Sequence, residues 1–555
     1  MRLSMPQIDT KAILADAKAK ATSVKAWELP KVESSVAPPD VWSNIDQDPV
    51  PPERRTWSGW SFLGYWFSDL ADVNGWLAGS SVLAVGLTWR ECIPLVLVGG
   101  LCNSIPLAFN GTMGARLRVS FPVAVRASFG YWFSYFCVVS RLILCLFWFG
   151  VNCSNGGLCV TQMLTAIWPS YANIPNHVPE SVGMTTQGFC SYFLFFVLIF
   201  PLLFIPVHKL GPLLFFKAVT VAPMALTMVI YLTAKAGSAG PLFDAKSTLH
   251  GSEKVWTCFS VLMSIIGGYT TLTVNISDFS RFAKTPSAVY TQIPSIPILK
   301  LLTYMFGIIG TSAAQVVYGT QIWNPLEIVA QWQGSPGGRA AAFFCSLIWL
   351  FSVLTVNLTG NAICASHDFV TLFPKYLNIR RGSILAATLG AWAFAPWKIL
   401  ASAITFLNFM AAYVIFLAPM AGIMICDYWF VKRCKIDVPQ LYDPRGIYRY
   451  WKGVNWRAAV VMVVAVAPVL PGMIHAINNN ILIGTGLTHL YNINWIYGTS
   501  VSVSLYWAFN AIKPDRATLI PRVVEAEEYL TVHGELGPTE VSSIQKEAEV
   551  GDKEV

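Results

Sequence analysis

The chain has 555 residues, of which 54% are hydrophobic and only 12% charged, with a formal net charge of +8. A soluble domain carries about 25% charged residues. Half that share, together with many apolar runs of roughly 20 residues, excludes a soluble protein and indicates a polytopic helical membrane protein with the lipid bilayer as its surroundings. The lysines and arginines fall between the apolar runs, which excludes nucleic acid as a partner.

The twelve cysteines are scattered, mostly inside apolar runs and without metal-ligand spacing. They read as small buried apolar side chains, and no metal site or organic cofactor is expected.

Residues 1–56 are polar and basic, with prolines clustered in VAPPDVW and DPVPPERR. They are expected to form a mostly disordered cytosolic tail ending in a short extended segment. No early apolar stretch follows Met1, so no cleaved signal peptide is expected.

Twelve transmembrane spans follow, near 58–88, 92–110, 128–167, 188–207, 212–235, 254–282, 298–319, 340–372, 383–399, 402–431, 457–476 and 492–512. A membrane domain is placed at 57–512, comprising a first half (57–240), a second half (241–431) and two extra helices (457–512). The segment 513–555 is a second solvated tail, acidic at Glu525–Leu530. Its Lys546 and Lys553 are candidate sites for ubiquitin-dependent turnover machinery.

Basic residues set the orientation. Arg116, Arg118 and Arg126 follow span two, and Arg281, Lys284 and Lys300 follow span six. Lys375, Arg380 and Arg381 follow span eight, and Lys432, Arg433, Lys435, Arg445, Arg449 and Lys452 follow span ten. The loops WPSYANIPNHVPESVGMTTQG and PGMIHAINNNILIGTGLTHLYNI contain no Lys or Arg. Both termini are therefore expected in the cytosol, with the loop between Lys235 and Lys254 a mild exception.

Four spans carry polar residues at depth. Span six, WTCFSVLMSIIGGYTTLTVNISDF, turns from apolar to polar at Gly267-Gly268-Tyr269. A glycine pair there permits a helix break and a close ligand approach, the pattern of a transport site near the bilayer midplane. It is equally compatible with tight helix packing. Span one contains Asp69 and Asp72 followed by Asn74-Gly75. Carboxylates at that depth are functional or paired by default; the alternative is a wide aqueous vestibule near the cytosolic end.

In span three, Trp148 and Asn152 are four apart and share a helical face, an aromatic beside a carboxamide that suits a flat heterocycle. Span eight carries Ser352, Thr355, Asn357, Thr359 and Asn361 on an otherwise apolar helix. His367 and Asp368 lie near its inner end and are expected to act in capping or at an interface.

The segments GGYTTLTVNISDFSRFAK, FWFGVN, NLTGNA running into LFPKYLNIRRG, and LAPMAGIMICDYWFVKR followed by LYDPRGIYRYWKGVNW resemble the nucleobase:cation symporter-1 family. The resemblance is closest to its fungal uracil/allantoin/uridine permease branch. It implies about 12 helices in a leucine-transporter-like 5+5 inverted repeat with broken spans one and six, and alternating access around a central site.

Carried over by motif, the resemblance makes Trp148 the stacking ring and Asn152 the carboxamide, where the family commonly has Gln. Gly268 and Tyr269 become the span-six glycine and aromatic, and Asn361 the substrate-binding asparagine. The cation site of sodium-coupled members maps to Ser68 and Ala71 in span one and to Ser352, Thr355 and Val356 in span eight. Val356 replaces a hydroxyl residue, which removes an oxygen from a sodium shell. With Asp69 and Asp72 buried, and Asp278 a further coupling or gating candidate, the coupling ion is expected to be H+.

The function expected is proton symport of a small flat nitrogen heterocycle, such as uracil, allantoin or a related purine or pyrimidine, into the cell at the plasma membrane. The alternatives are the same fold carrying thiamine, a nucleoside or nicotinamide riboside, or a non-transporting nutrient sensor. An enzyme is not expected: the seven histidines show no metal pairing, and no nucleophile–base arrangement stands out.

Overall fold

A computed structural model describes residues 18–30, 36–205, 211–241 and 246–526. Residues 1–17 and the tail bearing Lys546 and Lys553 lie outside the described residues. The described chain is helical, with only isolated β-bridges such as that between Asp437 and Val524.

Eight helices are each long and apolar enough to cross a membrane: Trp89–Leu117, Ser134–Ile167, Thr186–Phe204, Pro212–Ala236, Gly251–Asn275, Pro286–Tyr318, Pro336–Leu372 and Ala403–Val431. A ninth is the pair Trp456–Val466 and Leu470–Ile477, bent by 48°. The remaining expected spans are occupied by the interrupted pair Gly59–Leu70 and Val73–Ala84, by Ile379–Trp392 and by Asn494–Ile512. A turn at Pro396–Leu400 separates spans nine and ten.

Span three packs against spans four, eight and nine. Span seven packs against spans two and five and both halves of span one, and span six lies between spans two and ten.

Span one breaks where its sequence turns polar. The first half starts on a Ser58/Ser61 capping box and stops at Ala71. Asp72 is extended (φ −143°, ψ 177°), and its carboxylate accepts the Gly75 N–H at 2.8 Å, capping the second half. Such a cap contributes about 1 kcal/mol. It also places a carboxylate at a helix N-terminus, where the peptide dipoles favour negative charge.

Span six departs from the expected break. Gly251–Asn275 is one helix running across Gly267–Gly268; it ends at Ile276 and is followed by the short helix Ser277–Ser280. Side chains meet the polar demand without unwinding it. Lys300 Nζ donates to the Ile265 carbonyl, Asn103 Nδ2 to Ile266 and the Tyr413 hydroxyl to Gly267. The glycine pair has split duties. A Cβ at Gly267 would stand 1.9 Å from the Met410 carbonyl, so Gly267 serves close packing of spans six and ten. At Gly268 only Met410 Sδ lies nearby, at 3.6 Å.

Span eight carries an unexpected irregularity, a π-helical turn over Asn357–Ile363. Such turns widen the helix and often occur at functional sites.

Two further expectations are corrected. Lys300 lies inside span seven and is fully buried, rather than in the loop after span six. Residues 36–56 are an ordered strap on the face that also carries the start of the C-terminal segment. The Gln47 side chain donates to the His367 carbonyl (2.9 Å) and accepts from Ser120, while its carbonyl accepts from Tyr442. Asp46 accepts from the Ile379 N–H, and Val50 N–H donates to the Arg118 carbonyl. These contacts are polar, so the low apolar content of the tail does not announce them.

The two glycines should therefore behave differently. Gly267→Ala should lower stability by about 1–3 kcal/mol through overpacking against span ten, whereas Gly268→Ala should be neutral or slightly stabilising. Thermal unfolding of the purified variants measures both; equal effects would contradict the packing assignment.

Candidate functional site

The site forms where the break in span one meets spans three, six, eight and ten. Asn152 is buried; its amide nitrogen donates to the Trp148 carbonyl (3.1 Å), and its oxygen accepts from Asn74 Nδ2 (2.9 Å). The same Asn74 nitrogen donates to Asp72 (2.7 Å), and the Asn74 oxygen accepts from Asn155 (3.0 Å). A relay of amides thus ties the span-one break to the helix carrying Trp148.

Trp148 is half-buried. Its indole N–H points at the Tyr413 hydroxyl (3.3 Å), which itself donates to the Gly267 carbonyl (2.7 Å). Its ring meets Phe409 edge-on at 5.5 Å. Tyr269 meets Trp66 of span one edge-on at 6.0 Å and packs against the apolar cluster to which spans one, three, six and eight contribute. The Lys300 ammonium lies 4.9 Å from the Tyr269 ring centre, a cation–π contact that orients the ring.

Asn361, on the widened turn of span eight, donates to Asn357 Oδ1 (3.0 Å). Asn357 in turn donates to the Phe149 carbonyl (3.2 Å).

The cation-coupling candidates gather on the other side of the break. The Ala71 carbonyl accepts from the Ser352 hydroxyl (3.2 Å). A Cβ at Gly360 would stand 3.8 Å from the Asp69 carboxylate. Asp69 and Asp72 are buried, and Ser68 is buried with no hydrogen bond to its hydroxyl among the described residues. Thr355 is turned back onto the Phe351 carbonyl of its own helix (2.8 Å).

Sequence reasoning missed Lys217. This residue lies in span five, which packs along the first half of span one. It is fully buried, its ammonium has no hydrogen-bond partner among the described residues, and it lies within electrostatic reach of both Asp69 and Asp72. The available signal was a lysine inside the apolar run PLLFFKAVTVAP.

Asp278 belongs to a different cluster. Its carboxylate accepts from the Phe121 N–H (2.9 Å), Asn275 (3.2 Å) and the guanidinium of Arg141 (3.2 Å). Arg141 also pairs with Asp368 and donates to the Cys364 carbonyl. Asp368 is thus half of a buried ion pair across the interface of spans three and eight, the interfacial role rather than the cap, and its partner Arg141 is a residue that sequence reasoning missed. The cluster joins spans three and eight to the end of span six, toward the face carrying the termini.

The fold is that of a polytopic helical transporter. A family model described as a permease for cytosine/purines, uracil, thiamine and allantoin matches residues 49–498. The chain is 35% identical to an uncharacterized permease of Schizosaccharomyces pombe, covering 89% of this chain and 88% of that one. It is 33% identical to a thiamine transporter of Saccharomyces cerevisiae, covering 86% and 80%. The solved structure of Mhp1, a nucleobase-cation-symport-1 family transporter in a closed conformation with bromovinylhydantoin bound, superposes with a TM-score of 0.67. That match has 21% identity and covers 90% of this chain and 100% of that one. The chain belongs to this permease family of nucleobase:cation symporters; its relatives are transporters, and it is not an enzyme.

The relay and the tyrosine clasp should both be measurable. Tyr413→Phe removes the acceptor for Trp148 and the cap on Gly267, and should raise the KM of uptake by about three- to tenfold, the worth of one or two hydrogen bonds. Asn74→Ala should do the same by freeing Asn152. Unchanged KM in both variants would show that these bonds do not position the site.

Proposed function

We propose that the protein imports a small, flat, neutral nitrogen heterocycle (uracil, allantoin or a related purine or pyrimidine) by proton symport across the plasma membrane, with both termini cytosolic. Trp148 and Tyr269 supply ring faces, Gly268 lets the backbone approach, and Asn152 and Asn361 supply amide hydrogen bonds. Asn361 suits this role because its carboxamide lies on the widened turn of span eight, held there by the bond it donates to Asn357 Oδ1. The orientation is supported by the basic loops after spans two, eight and ten, which share a face with the N-terminal strap.

The observation that carries the coupling assignment is Lys217. A buried lysine within electrostatic reach of Asp69, Asp72 and the interrupted end of span one can hold positive charge where a sodium-coupled site would hold the ion. With Val356 contributing no oxygen, the site is poor in sodium ligands and rich in groups that exchange protons. Asp69, Asp72 and Lys217 then carry the coupling, while Ser68, Ala71, Ser352 and Thr355 line the site. Arg141, Asp278 and Asp368 act as an inner gate, since breaking a buried ion cluster controls the separation of spans three and eight from span six.

A larger cargo, such as thiamine or a nucleoside, is the second reading. The short amide of Asn152 favours it by leaving space where a glutamine would reach.

The test is uptake in cells lacking their own permeases, against about a dozen purines, pyrimidines and vitamins, with and without a pH gradient. Accumulation should follow the inward proton gradient and ignore sodium. Asn361→Ala should abolish uptake while still reaching the membrane. Lys217→Met should lose gradient-driven accumulation yet retain exchange of labelled for unlabelled cargo. Sodium dependence with indifference to a proton uncoupler would overturn the coupling assignment.

A further inference from the structure

A cavity of about 390 Å³ opens on the face opposite the termini. Its size is that of a small-molecule site. Glu253, Trp256 and Ser260 of span six, Asn408 of span ten, and His489 and Asn492 at the entrance to span twelve contribute to its wall. The residues named for the central site do not line it.

Two features give it a specific chemistry. First, the His489 imidazole lies flat on the Trp256 indole, with centroids 3.8 Å apart and planes 4° from parallel. A planar nitrogen heterocycle from the chain itself thus occupies an aromatic platform, while polar groups from three spans surround it. Second, the floor of the cavity is the roof of the central site. Ser264 lines the cavity and donates to the Leu407 carbonyl (2.9 Å). One helical turn below, Gly267 is pressed against the Met410 carbonyl and accepts from Tyr413. The seam between spans six and ten therefore lies between this cavity and the Tyr413–Trp148 contact of the central site.

We infer that the Trp256 platform is an outer binding site for planar, neutral nitrogen heterocycles, in which His489 holds the place of the cargo until cargo displaces it. The inference rests on the cargo class proposed above and adds a waiting position before the central site. Cargo stacks on Trp256, bonds to the surrounding carboxamides and hydroxyls, and descends when spans six and ten part at the Ser264–Leu407 and Gly267–Met410 contacts.

The test is the concentration dependence of uptake by the full-length carrier, using whichever of radiolabelled uracil, allantoin and cytosine the parent accumulates. Trp256→Ala should raise KM about tenfold, as expected when one stacking face is lost, with a maximal rate within about twofold of the parent. Trp256→Phe, which keeps a ring, should restore most of the affinity. His489→Ala, which vacates the platform, should lower KM. An unchanged KM in Trp256→Ala, or a loss in Trp256→Ala that Phe does not rescue, overturns the outer site and leaves the central one standing. A parent that accumulates none of the three ligands overturns both.

Discussion

The interruption of span one at Ala71–Asp72 is the constraint from which the rest of the site follows. A helix that stops within a membrane exposes carbonyls at one end and N–H groups at the other, and each must find a partner. Here the side chain of Asp72 serves the N–H end, and Ser352 reaches the Ala71 carbonyl from span eight. The buried charge this creates is answered by Lys217 from span five. The same carboxylate holds Asn74, and through Asn74 the two asparagines of span three. One backbone break therefore couples a charged cluster on one side to an aromatic and carboxamide surface on the other. Such a link is what a symporter needs if ion and cargo are to bind interdependently.

Above and below this level the chain is closed by contacts of different kinds. Toward the termini the closure is electrostatic: Arg141 between Asp278 and Asp368, overlaid by the polar strap around Gln47. Buried ion pairs of this kind are costly to break by removing one partner, yet they can rearrange between discrete pairings. On the opposite face the closure is steric, a glycine pressed against a neighbouring backbone carbonyl. The two closures thus differ in kind, an ion cluster on one face and a close, uncharged backbone contact on the other.

Much of this was legible in the sequence because its signal is local. Trp148 and Asn152 are one turn apart, as are Asn357 and Asn361, and a carboxylate before Asn-Gly inside an apolar run marks a break. What could not be read depends on which helices meet. Lys217 gains its meaning only from packing against span one. The assignment of packing to Gly267 and openness to Gly268 depends on where Met410 falls. The continuity of span six was misjudged because its extra donors, Lys300, Asn103 and Tyr413, come from three other spans. The strap of residues 36–56 falls in a segment whose composition predicts a mostly disordered tail with a short extended end, because composition reports apolar burial and is silent on a segment held by amide and hydroxyl bonds.

The most direct measurement of the central claim is a cryo-electron microscopy map of the carrier in a lipid nanodisc, with a transported heterocycle at saturating concentration. The account predicts ring density beside Trp148 and Tyr269, within hydrogen-bond distance of Asn152 and Asn361 and adjacent to the span-one break. Ligand density elsewhere, with those four side chains unaltered from their ligand-free positions, would contradict it.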